Sequence, residues 1–148
     1  MDYYYNILIT GCSSGLGEAL FNKVWEHDFL KPFGHYRTED GDPYALIGDI
    51  TDSDFPEKLD NYIREREIDC FINNAGVYEG DIIDTNLGSQ IRMLQVVYKY
   101  FLEREKGRII NINSVAGLYP SANESIYCAS KFGLKGFSQS IQLEAVGT

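Results

Sequence analysis

The stretch TGCSSGLG, residues 10–17, follows an apolar run of β type and precedes a segment with helical periodicity. The apolar run covers residues 5–10. From residue 15 to about residue 27, apolar side chains recur at the spacing of one helix face. These apolar positions are Leu16, Ala19, Leu20, Val24 and Trp25. The sequence therefore predicts a strand, a glycine-rich turn and a helix in immediate succession.

Each glycine of this turn has its own physical use. Gly11 permits a tight turn, Gly15 lets a ligand approach the backbone without a Cβ in the way, and Gly17 allows close packing of the helix. The N–H groups at the start of the helix, with the positive end of its dipole, can receive a pyrophosphate. The alternative is an ordinary strand-to-helix turn with no ligand. The position after the first strand of an alternating chain favours a dinucleotide site.

Strand-like and helix-like segments alternate along the rest of the chain. Further strands are predicted at residues 33–36, 44–48, 69–72 and 108–112, and further helices at residues 55–66, 86–103 and 123–145. The inner helix faces are predicted to contain Leu59, Tyr62 and Ile63 in the second helix, and Ile126, Leu134, Phe137 and Ile141 in the last. The final strand is predicted to be apolar on both faces. This order predicts an α/β fold: a three-layer, doubly wound parallel sheet of about five strands, with residues 1–148 as one domain.

The composition excludes several classes of partner. The formal net charge of −9 gives no general attraction to nucleic acid or anionic lipid. We find neither an apolar run of membrane-spanning length nor a signal-type N-terminus, so we expect no membrane partner and a cytoplasmic location. The odd number of cysteines and the lack of CxxC spacing predict reduced thiols and no metal site. The three cysteines are Cys12, Cys70 and Cys128.

The segment YCASK, residues 127–131, places a phenol and an ammonium four residues apart on the predicted last helix. Positions i and i+4 share a helix face, so Lys131 can lie beneath the Tyr127 hydroxyl. A nearby positive charge favours phenolate and helps the phenol exchange a proton near neutral pH. Isolated pairs of this kind also occur by chance on exposed helices. Whether this pair is catalytic therefore depends on the motifs in the rest of the chain.

Four motifs in order resemble the short-chain dehydrogenase/reductase family: Thr10-Gly11-x-x-x-Gly15-x-Gly17, NNAG at 73–76, Ser114 within INSVAG, and Tyr127-x-x-x-Lys131. The resemblance runs from about residue 6 to residue 144. It implies a Rossmann-like fold that binds NAD or NADP. It also implies an oxidoreductase that transfers hydride between nicotinamide and the carbonyl or alcohol carbon of a small molecule.

The resemblance also implies roles for four side chains. Tyr127 is expected to be the general acid in reduction and the base in oxidation, and Lys131 to assist it and hydrogen-bond the nicotinamide ribose. Ser114 is expected to hold the substrate oxygen; the alternative is a cap for the loop after the last strand. Asn86, in TNLG, is expected to anchor a water molecule in a proton relay; the alternative is a helix N-cap.

A larger set is expected to bind the cofactor. Asp49, in GDITD, matches the acid that contacts adenine, with a solvated turn residue as the alternative. NNAG is expected to stabilise the central sheet and to line the adenosine side of the pocket, with Asn73 next to the cofactor. The full set is Gly11, Ser13, Ser14, Gly15, Leu16, Gly17, Arg37, Asp49, Ile50, Asn73, Ala75, Gly76, Tyr127 and Lys131.

The choice between NADP and NAD depends on the end of the second strand. In GHYRTED, residues 34–40, no acid occupies the strand end and Arg37 is available for a 2′-phosphate. The residue before Gly15 is Ser14, although many NADP-binding members have a basic residue there. We therefore predict NADP in preference to NAD, with NAD as the alternative.

The sequence departs from the family in three places. There is no room for a helix between Arg37 and Ala45, and the segment between Gly76 and Asn86 is short. The family continues beyond the position of Thr148 with further strands and a substrate lid. We therefore expect the last strand to lie at an edge, covered by a second subunit or by residues beyond this sequence.

The resemblance implies that the two longest helices pair across a two-fold axis, so we predict a homodimer or homotetramer. Gly133 and Gly136 would permit close approach there, with packing on the sheet as the alternative. A catalytically weak or silent dinucleotide-binding module, or a fragment of a longer reductase, is the alternative function. The sequence does not identify the substrate.

Overall fold

In the computed structural model, which describes residues 4–38 and 41–146, five strands form one parallel sheet. The strands are β1 (Tyr5–Ile9), β2 (Leu30–Tyr36), β3 (Leu46–Ile47), β4 (Cys70–Asn73) and β5 (Arg108–Asn111), in the spatial order β3-β2-β1-β4-β5. Ile9 lies opposite Gly34 of β2 and Ile72 of β4, so β1 is central. The predicted doubly wound parallel sheet of about five strands is confirmed. The two ends of the predicted domain, residues 1 and 148, lie outside the described residues.

Four helices accompany the sheet: α1 (Gly15–Trp25), α2 (Phe55–Glu65), α3 (Ser89–Glu103) and α4 (Ser125–Val146). Two apolar clusters lie on opposite faces of the sheet. The larger one joins Leu8 and Phe71 to α2, α3 and α4, and the smaller one joins Ile7 and Ile9 to α1. This arrangement confirms the three-layer Rossmann-like architecture.

The second and third strands differ from their predicted bounds. β2 begins at Leu30, three residues before the prediction, and it includes Pro32. A proline removes a ladder hydrogen bond, which is why it argues against a central strand. The structure tolerates it because β3 pairs only with His35 and Tyr36, so β2 has no partner on that side at Pro32. β3 is correspondingly shorter than the predicted 44–48. The described residues between β2 and β3 form no helix, as expected.

The predicted helix at 86–103 is divided into two parts. A π-helical turn covers Asp84–Gly88, and α3 begins only at Ser89. Hydrophobic periodicity continues smoothly through this region, so it gives no sign of the change in hydrogen bonding. π turns are rare and occur often at functional sites. A 3-10 turn at Val115–Gly117 was likewise not predicted.

The predicted inner faces are only partly correct. In α2, Leu59 and Ile63 are buried as expected. In α1, however, Leu16 and Trp25 are exposed, and in α4 Ile126 is exposed although Leu134 is buried. Leu16 and Ile126 lie in the first turns of their helices, close to the carboxyl edge of the sheet. Periodicity alone does not distinguish a core position from an apolar side chain that faces a ligand site.

β5 was predicted to be apolar on both faces and to lie at an edge of the sheet, and the edge position is confirmed. It lies at the edge of the sheet, where Arg108 and Ile110 are exposed. Beside it, a groove of about 1200 Å³ runs between α3 and α4. The groove includes Phe101, Ile109 and Ile141, but it contains none of the glycine-rich turn. Neither the glycine-rich turn nor the YCASK segment lines this groove.

None of the helices within residues 4–38 and 41–146 has the length and apolar character needed to cross a membrane. The three cysteines are buried free thiols. Burial raises the pKa of Cys70 to about 11, which keeps that thiol protonated at neutral pH.

Candidate active site

The glycine-rich turn after β1 has the geometry that its sequence predicts. Gly11 and Gly15 have φ angles of +72° and +61°, in the left-handed region that favours glycine. A Cβ on Gly11 would lie 2.9 Å from Ala75 Cα, and one on Gly17 would lie 2.0 Å from the Gly11 carbonyl oxygen. A Cβ on Gly15 would meet no described atom within 4 Å. Gly11 and Gly17 are therefore needed for packing, whereas Gly15 leaves open surface for a ligand.

Hydrogen bonds from NNAG hold this turn in place. The Thr10 hydroxyl oxygen accepts from the backbone N–H groups of Asn74 (2.9 Å) and Ala75 (3.0 Å). The Asn74 side-chain amide donates to the carbonyl oxygens of Thr10 (2.9 Å) and Gly11 (3.3 Å). Thr10 and Asn74 were not among the predicted site residues, although both belong to the quoted motifs. The fold makes them positioning residues for the glycine-rich turn.

Asn73 has a different environment from Asn74, because successive side chains of a strand point to opposite faces. Its amide nitrogen donates to Asn111 Oδ1 of β5 at 3.0 Å. Its own Oδ1 is buried, and no group in the described part of the chain donates to it. A buried acceptor without a partner carries a desolvation cost, so it marks a position where a ligand group or water would be favourable.

The acidic edge of the site lies after β3. The Asp49 carboxylate accepts from the Thr51 backbone N–H (2.9 Å) and the Thr51 hydroxyl (2.7 Å). These two bonds, with a contribution from the positive charge of Arg37, hold the pKa of the Asp49 carboxyl below its ordinary value. Arg37 is exposed and lies close enough to interact with Asp49 electrostatically. Ile50, also predicted to bind the cofactor, has its side chain in the core, so only its backbone can face a ligand.

Tyr127 and Lys131 lie together in the first turns of α4. The Lys131 ammonium nitrogen is 5.7 Å from the centre of the Tyr127 ring. The Lys131 residue is only 8% exposed, and burial lowers the pKa of its ammonium. Among residues 4–38 and 41–146, no carboxylate pairs with this ammonium and no acceptor hydrogen-bonds to it. A nearly buried cation with unused donors is therefore directed at the tyrosine side of the site.

The Tyr127 ring also packs against Tyr78, with the ring centroids 4.9 Å apart. The Tyr78 hydroxyl in turn donates to the Glu124 carboxylate, and this bond raises the pKa of Tyr78. Tyr78 belongs to the short segment after NNAG, and it was not predicted to be near the site. The shortening of that segment brings an additional aromatic ring beside Tyr127.

Ser114 precedes the 3-10 turn. Its side-chain oxygen accepts from the Ala116 backbone N–H at 3.2 Å, so the predicted alternative of a loop cap is present in the structure. A hydroxyl that accepts a bond can still donate its proton, so this cap is compatible with a bond to a substrate oxygen. Asn113 joins Ser114 to α4: its Oδ1 accepts from the Ser114 N–H (2.9 Å), and its Nδ2 donates to the Lys131 carbonyl (3.2 Å). Asn113 is thus a further residue that sequence reasoning missed.

Asn86 lies within the π turn and is buried, with 1% of its surface exposed. Its side chain exchanges two hydrogen bonds with the Val77 backbone: Oδ1 accepts from the N–H (2.8 Å) and Nδ2 donates to the carbonyl (2.6 Å). It is not an N-cap, since Ile83 occupies that position. Gln90 makes a related contact by donating to the Ala75 carbonyl at 2.7 Å. Both side-chain amides hydrogen-bond the segment after β4, so the Asn86 side chain already has hydrogen-bond partners within the protein.

The remaining predicted residues surround the turn. Ser13, Ser14, Leu16 and Gly76 are exposed, and the Ser14 side chain makes no capping hydrogen bond at the start of α1. The residues that follow β1, β4 and β5 meet at one edge of the sheet, because the carboxyl ends of parallel strands lie on the same side. That edge therefore combines a helix N-terminus, whose N–H groups and dipole favour an anion, with a phenol, an ammonium and a hydroxyl.

Comparisons with curated proteins give relatives of matching organisation. The chain is 32% identical over 161 residues to a 3-oxoacyl-(acyl-carrier-protein) reductase, FabG, of Salmonella typhimurium, a match that covers 93% of the chain and 66% of the relative. It is 30% identical over 155 residues to a 3-ketodihydrosphingosine reductase of Bacteroides thetaiotaomicron, covering 93% of the chain and 57% of the relative. The chain thus spans 66% or less of the length of these relatives.

Solved structures agree with the fold. The crystal structure of the F189W variant of actinorhodin polyketide ketoreductase with NADPH superposes with a TM-score of 0.80 at 26% identity, covering 96% of this chain and 65% of that one. Residues 5–148 match the family described as short chain dehydrogenase. Together with the motifs and the sheet order, this match shows that the chain belongs to the short chain dehydrogenase family.

Proposed function

We propose that this protein catalyses NAD(P)-dependent hydride transfer between the nicotinamide ring and the carbonyl or alcohol carbon of a small molecule. The observation that carries the proposal is the nearly buried Lys131 ammonium beside the Tyr127 ring. A dinucleotide-binding module needs the glycine-rich turn but has no need of a desolvated cation next to a phenol. The cost of burying that charge supports an enzyme, because perturbed ionisable groups concentrate at functional sites.

The residues present fit a dinucleotide. Gly15 leaves open backbone at the N-terminus of α1, where N–H groups and the helix dipole favour a pyrophosphate. The unused donors of Lys131 can bind a ribose hydroxyl. Arg37 near Asp49 supports NADP, because a guanidinium can bind a 2′-phosphate with two hydrogen bonds. The related ketoreductase structure, which contains NADPH, is consistent with that preference.

The chain's own residues would transfer the proton to and from the substrate oxygen. Tyr127 would donate its phenolic proton to the carbonyl oxygen during reduction and recover a proton afterwards. Lys131 would stabilise the phenolate through its positive charge, and Ser114 would donate a hydrogen bond to the same substrate oxygen. The nicotinamide cofactor supplies or accepts the hydride. Because the Asn86 amide is engaged with Val77, a relay water would need acceptors other than that side chain.

Ketones are the substrate class that we propose to test first. Both curated relatives described above are named as reductases of a 3-oxo or 3-keto compound. In this chain, large apolar side chains are exposed on the loop directly after Ser114; they are Val115, Leu118 and Tyr119. Such a surface suits a ketone that carries an apolar chain.

We also propose that the protein assembles as at least a homodimer through α4. Gly133 does not provide the close approach suggested by its sequence position, because a Cβ there would lie 2.8 Å from the Leu87 side chain of the same chain. Gly136 leaves open space, and the last turns of α4 expose Leu143 and Val146. A symmetric contact would remove these apolar side chains from water.

The test compares wild type with Tyr127→Phe. Turnover of a 3-oxoacyl thioester with NADPH should fall at least about a hundredfold in the variant, the usual scale of acid–base assistance. NADPH at about 100 times its dissociation constant should still stabilise the variant by roughly 2.7 kcal/mol in thermal unfolding.

Tyr4→Phe is the matched control, since Tyr4 is an exposed phenol at the amino end of β1, opposite the edge of the sheet that contains Ser114 and Tyr127. It should retain wild-type turnover. Equal turnover in wild type and Tyr127→Phe would rule out the proton-donor role. Failure of both NADPH and NADH to stabilise wild type would rule out the dinucleotide site.

A further inference from the structure

His35, near the end of β2, joins two separate parts of the proposed cofactor site. Its Nδ1 accepts a hydrogen bond from the Gly11 backbone N–H at 3.2 Å, and its Nε2 lies 2.9 Å from the Gly48 carbonyl oxygen. The His35 carbonyl oxygen also accepts from the Cys12 N–H at 3.0 Å. The residue is only 3% exposed. One buried imidazole therefore connects the glycine-rich turn to the segment that leads into Asp49.

These two contacts require one protonation state. Nδ1 faces an N–H group, so it must present a lone pair, whereas Nε2 faces a carbonyl and must carry the proton. The ring is therefore neutral and in a single tautomer. A second proton on Nδ1 would oppose the Gly11 N–H, and this would remove the bond and place two donors against each other. Gly11 is closely packed against Ala75 and Gly17, so displacement of Gly11 would disturb the whole turn.

The surroundings of the ring are mostly apolar, with the Phe55 ring of α2 in edge contact at a centroid distance of 5.2 Å. The negative charge of Asp49, after β3, works to raise the pKa of His35. The positive charge of Arg37 in turn lowers the pKa of Asp49. The Lys58 ammonium of α2 lies beside Gly48, 3.3 Å from the position of a Cβ built there. Burial is the largest influence, and it lowers the pKa of His35 below its ordinary value of 6.5.

We propose that His35 is a proton-sensitive positioning residue that clamps the glycine-rich turn to the Gly48–Asp49 turn, so that cofactor affinity decreases when the imidazole is protonated. This inference rests on the proposed function for its ligand, because the turn must bind a dinucleotide. It adds a residue that the glycine motif does not contain.

The direction of the pH effect follows from linkage. The folded-state pKa of His35 is lowered, so at acidic pH the unfolded chain binds more protons than the folded chain does. The contribution of the clamp to stability is complete above pH 6.5 and is lost as the pH falls through the folded-state pKa. The affinity for the cofactor should likewise decrease as the pH falls through the folded-state pKa of His35.

The experiment measures NADP⁺ dissociation constants by calorimetry at about pH 7.5 and about pH 5.5 for wild type, His35→Gln and His27→Gln. The chain has two histidines, and His27 is exposed, so His27→Gln is the matched control. The ratio of the acidic to the neutral dissociation constant should be larger in wild type and His27→Gln than in His35→Gln. The comparison cancels protonation of the 2′-phosphate, which affects all three proteins equally.

A second readout uses the wild-type protein without a cofactor. Nitrogen-15 NMR should show the Nε2–H tautomer of His35, and the Gly11 amide resonance should titrate together with the His35 ring. An Nδ1–H tautomer, or equal affinity ratios in all three proteins, would overturn the clamp. If wild type binds no NADP⁺ at either pH, the proposed function fails instead, and the NMR titration alone decides the clamp.

Discussion

Lys131 combines a positive charge with burial, and no acidic side chain in the described ranges 4–38 and 41–146 pairs with it. Such a residue destabilises a fold and is expected where a ligand or a reaction requires it. The neighbouring Tyr127 ring accounts for only part of its surroundings. At the scale of single residues, this arrangement is the strongest sign of catalysis in the molecule, and it leads to a prediction that separates activity from stability.

Lys131→Met should stabilise the fold by about 1 kcal/mol at neutral pH, because it removes a buried charge. It should also reduce turnover at least about a hundredfold, because the phenolate loses its cation. Urea unfolding and steady-state kinetics measure the two effects. Since the pKa of Lys131 is lowered from 10.5, the stability difference should narrow as the pH rises towards that value.

Lys135→Met, one turn further along α4, is the control for the Lys131 variant. Its side chain is less buried than that of Lys131, so both stability and turnover should remain close to wild type. A loss of stability in Lys131→Met would show that the ammonium has a structural partner in solution.

Arg37→Ala tests the coenzyme preference. The guanidinium near Asp49 is proposed to bind the 2′-phosphate, so the variant should lose at least about tenfold in NADPH affinity and little in NADH affinity, since a charge-assisted hydrogen bond contributes roughly 1.5–3 kcal/mol. Lys99→Ala removes the same charge from an exposed site on α3 and should change neither affinity. Equal losses for both coenzymes would contradict the assigned role of Arg37.

At the scale of elements, the glycine-rich turn is built by packing between backbones. α1 approaches β1 so closely that Gly17 meets the Gly11 carbonyl, and Asn74 donates to that same carbonyl oxygen. The π turn before α3 has a similar supporting task, since Asn86 and Gln90 hold the segment after β4. The ends of three elements therefore determine the shape of one loop.

Gly17→Ala should destabilise the protein by about 1–3 kcal/mol and weaken NADPH binding, because a Cβ would lie 2.0 Å from a backbone oxygen that cannot move freely. Chemical denaturation and a binding titration measure the two losses. Asn22→Ala, on the exposed side of the same helix, should stay within about 0.5 kcal/mol of wild type. A fully stable Gly17→Ala would show that α1 can move away from the turn.

At the scale of the whole molecule, a second apolar surface lies away from the glycine-rich turn. β5 is an edge strand, the groove beside it contains Phe101 and Ile141, and the end of α4 exposes Leu143 and Val146. Edge strands and apolar helix faces favour association with other chains. The proposed self-association would use the α4 part of this surface.

Leu143→Arg should weaken a homodimer at least about a hundredfold, because a two-fold interface loses two apolar contacts of about 1.5 kcal/mol each. Sedimentation analysis over a range of concentrations measures the change. Phe29→Arg replaces a side chain of similar exposure, 73% against 76%, on the loop before β2, and it should leave the association unchanged. A monomeric wild type at high concentration would contradict the assembly proposal.

Much of the fold could be predicted because its signals are local. The alternation of strands and helices and the three glycines of the first turn depend only on neighbouring residues. The errors occur where distant parts meet. Pro32 is tolerated because β3 is short, and the π turn does not interrupt hydrophobic periodicity.

The sequence by itself determined the fold class, the family resemblance and the types of reactive side chain, because motif spacing and periodicity are properties of the chain. Only the tertiary structure decided which polar groups meet. In the folded protein, Asn74 hydrogen-bonds the glycine-rich turn, whereas Asn73 hydrogen-bonds β5. The Asn86 amide hydrogen-bonds Val77. His35 lies between Gly11 and Gly48. Such contacts join residues far apart in the chain, and their partners depend on strand order and backbone direction, which no local pattern encodes.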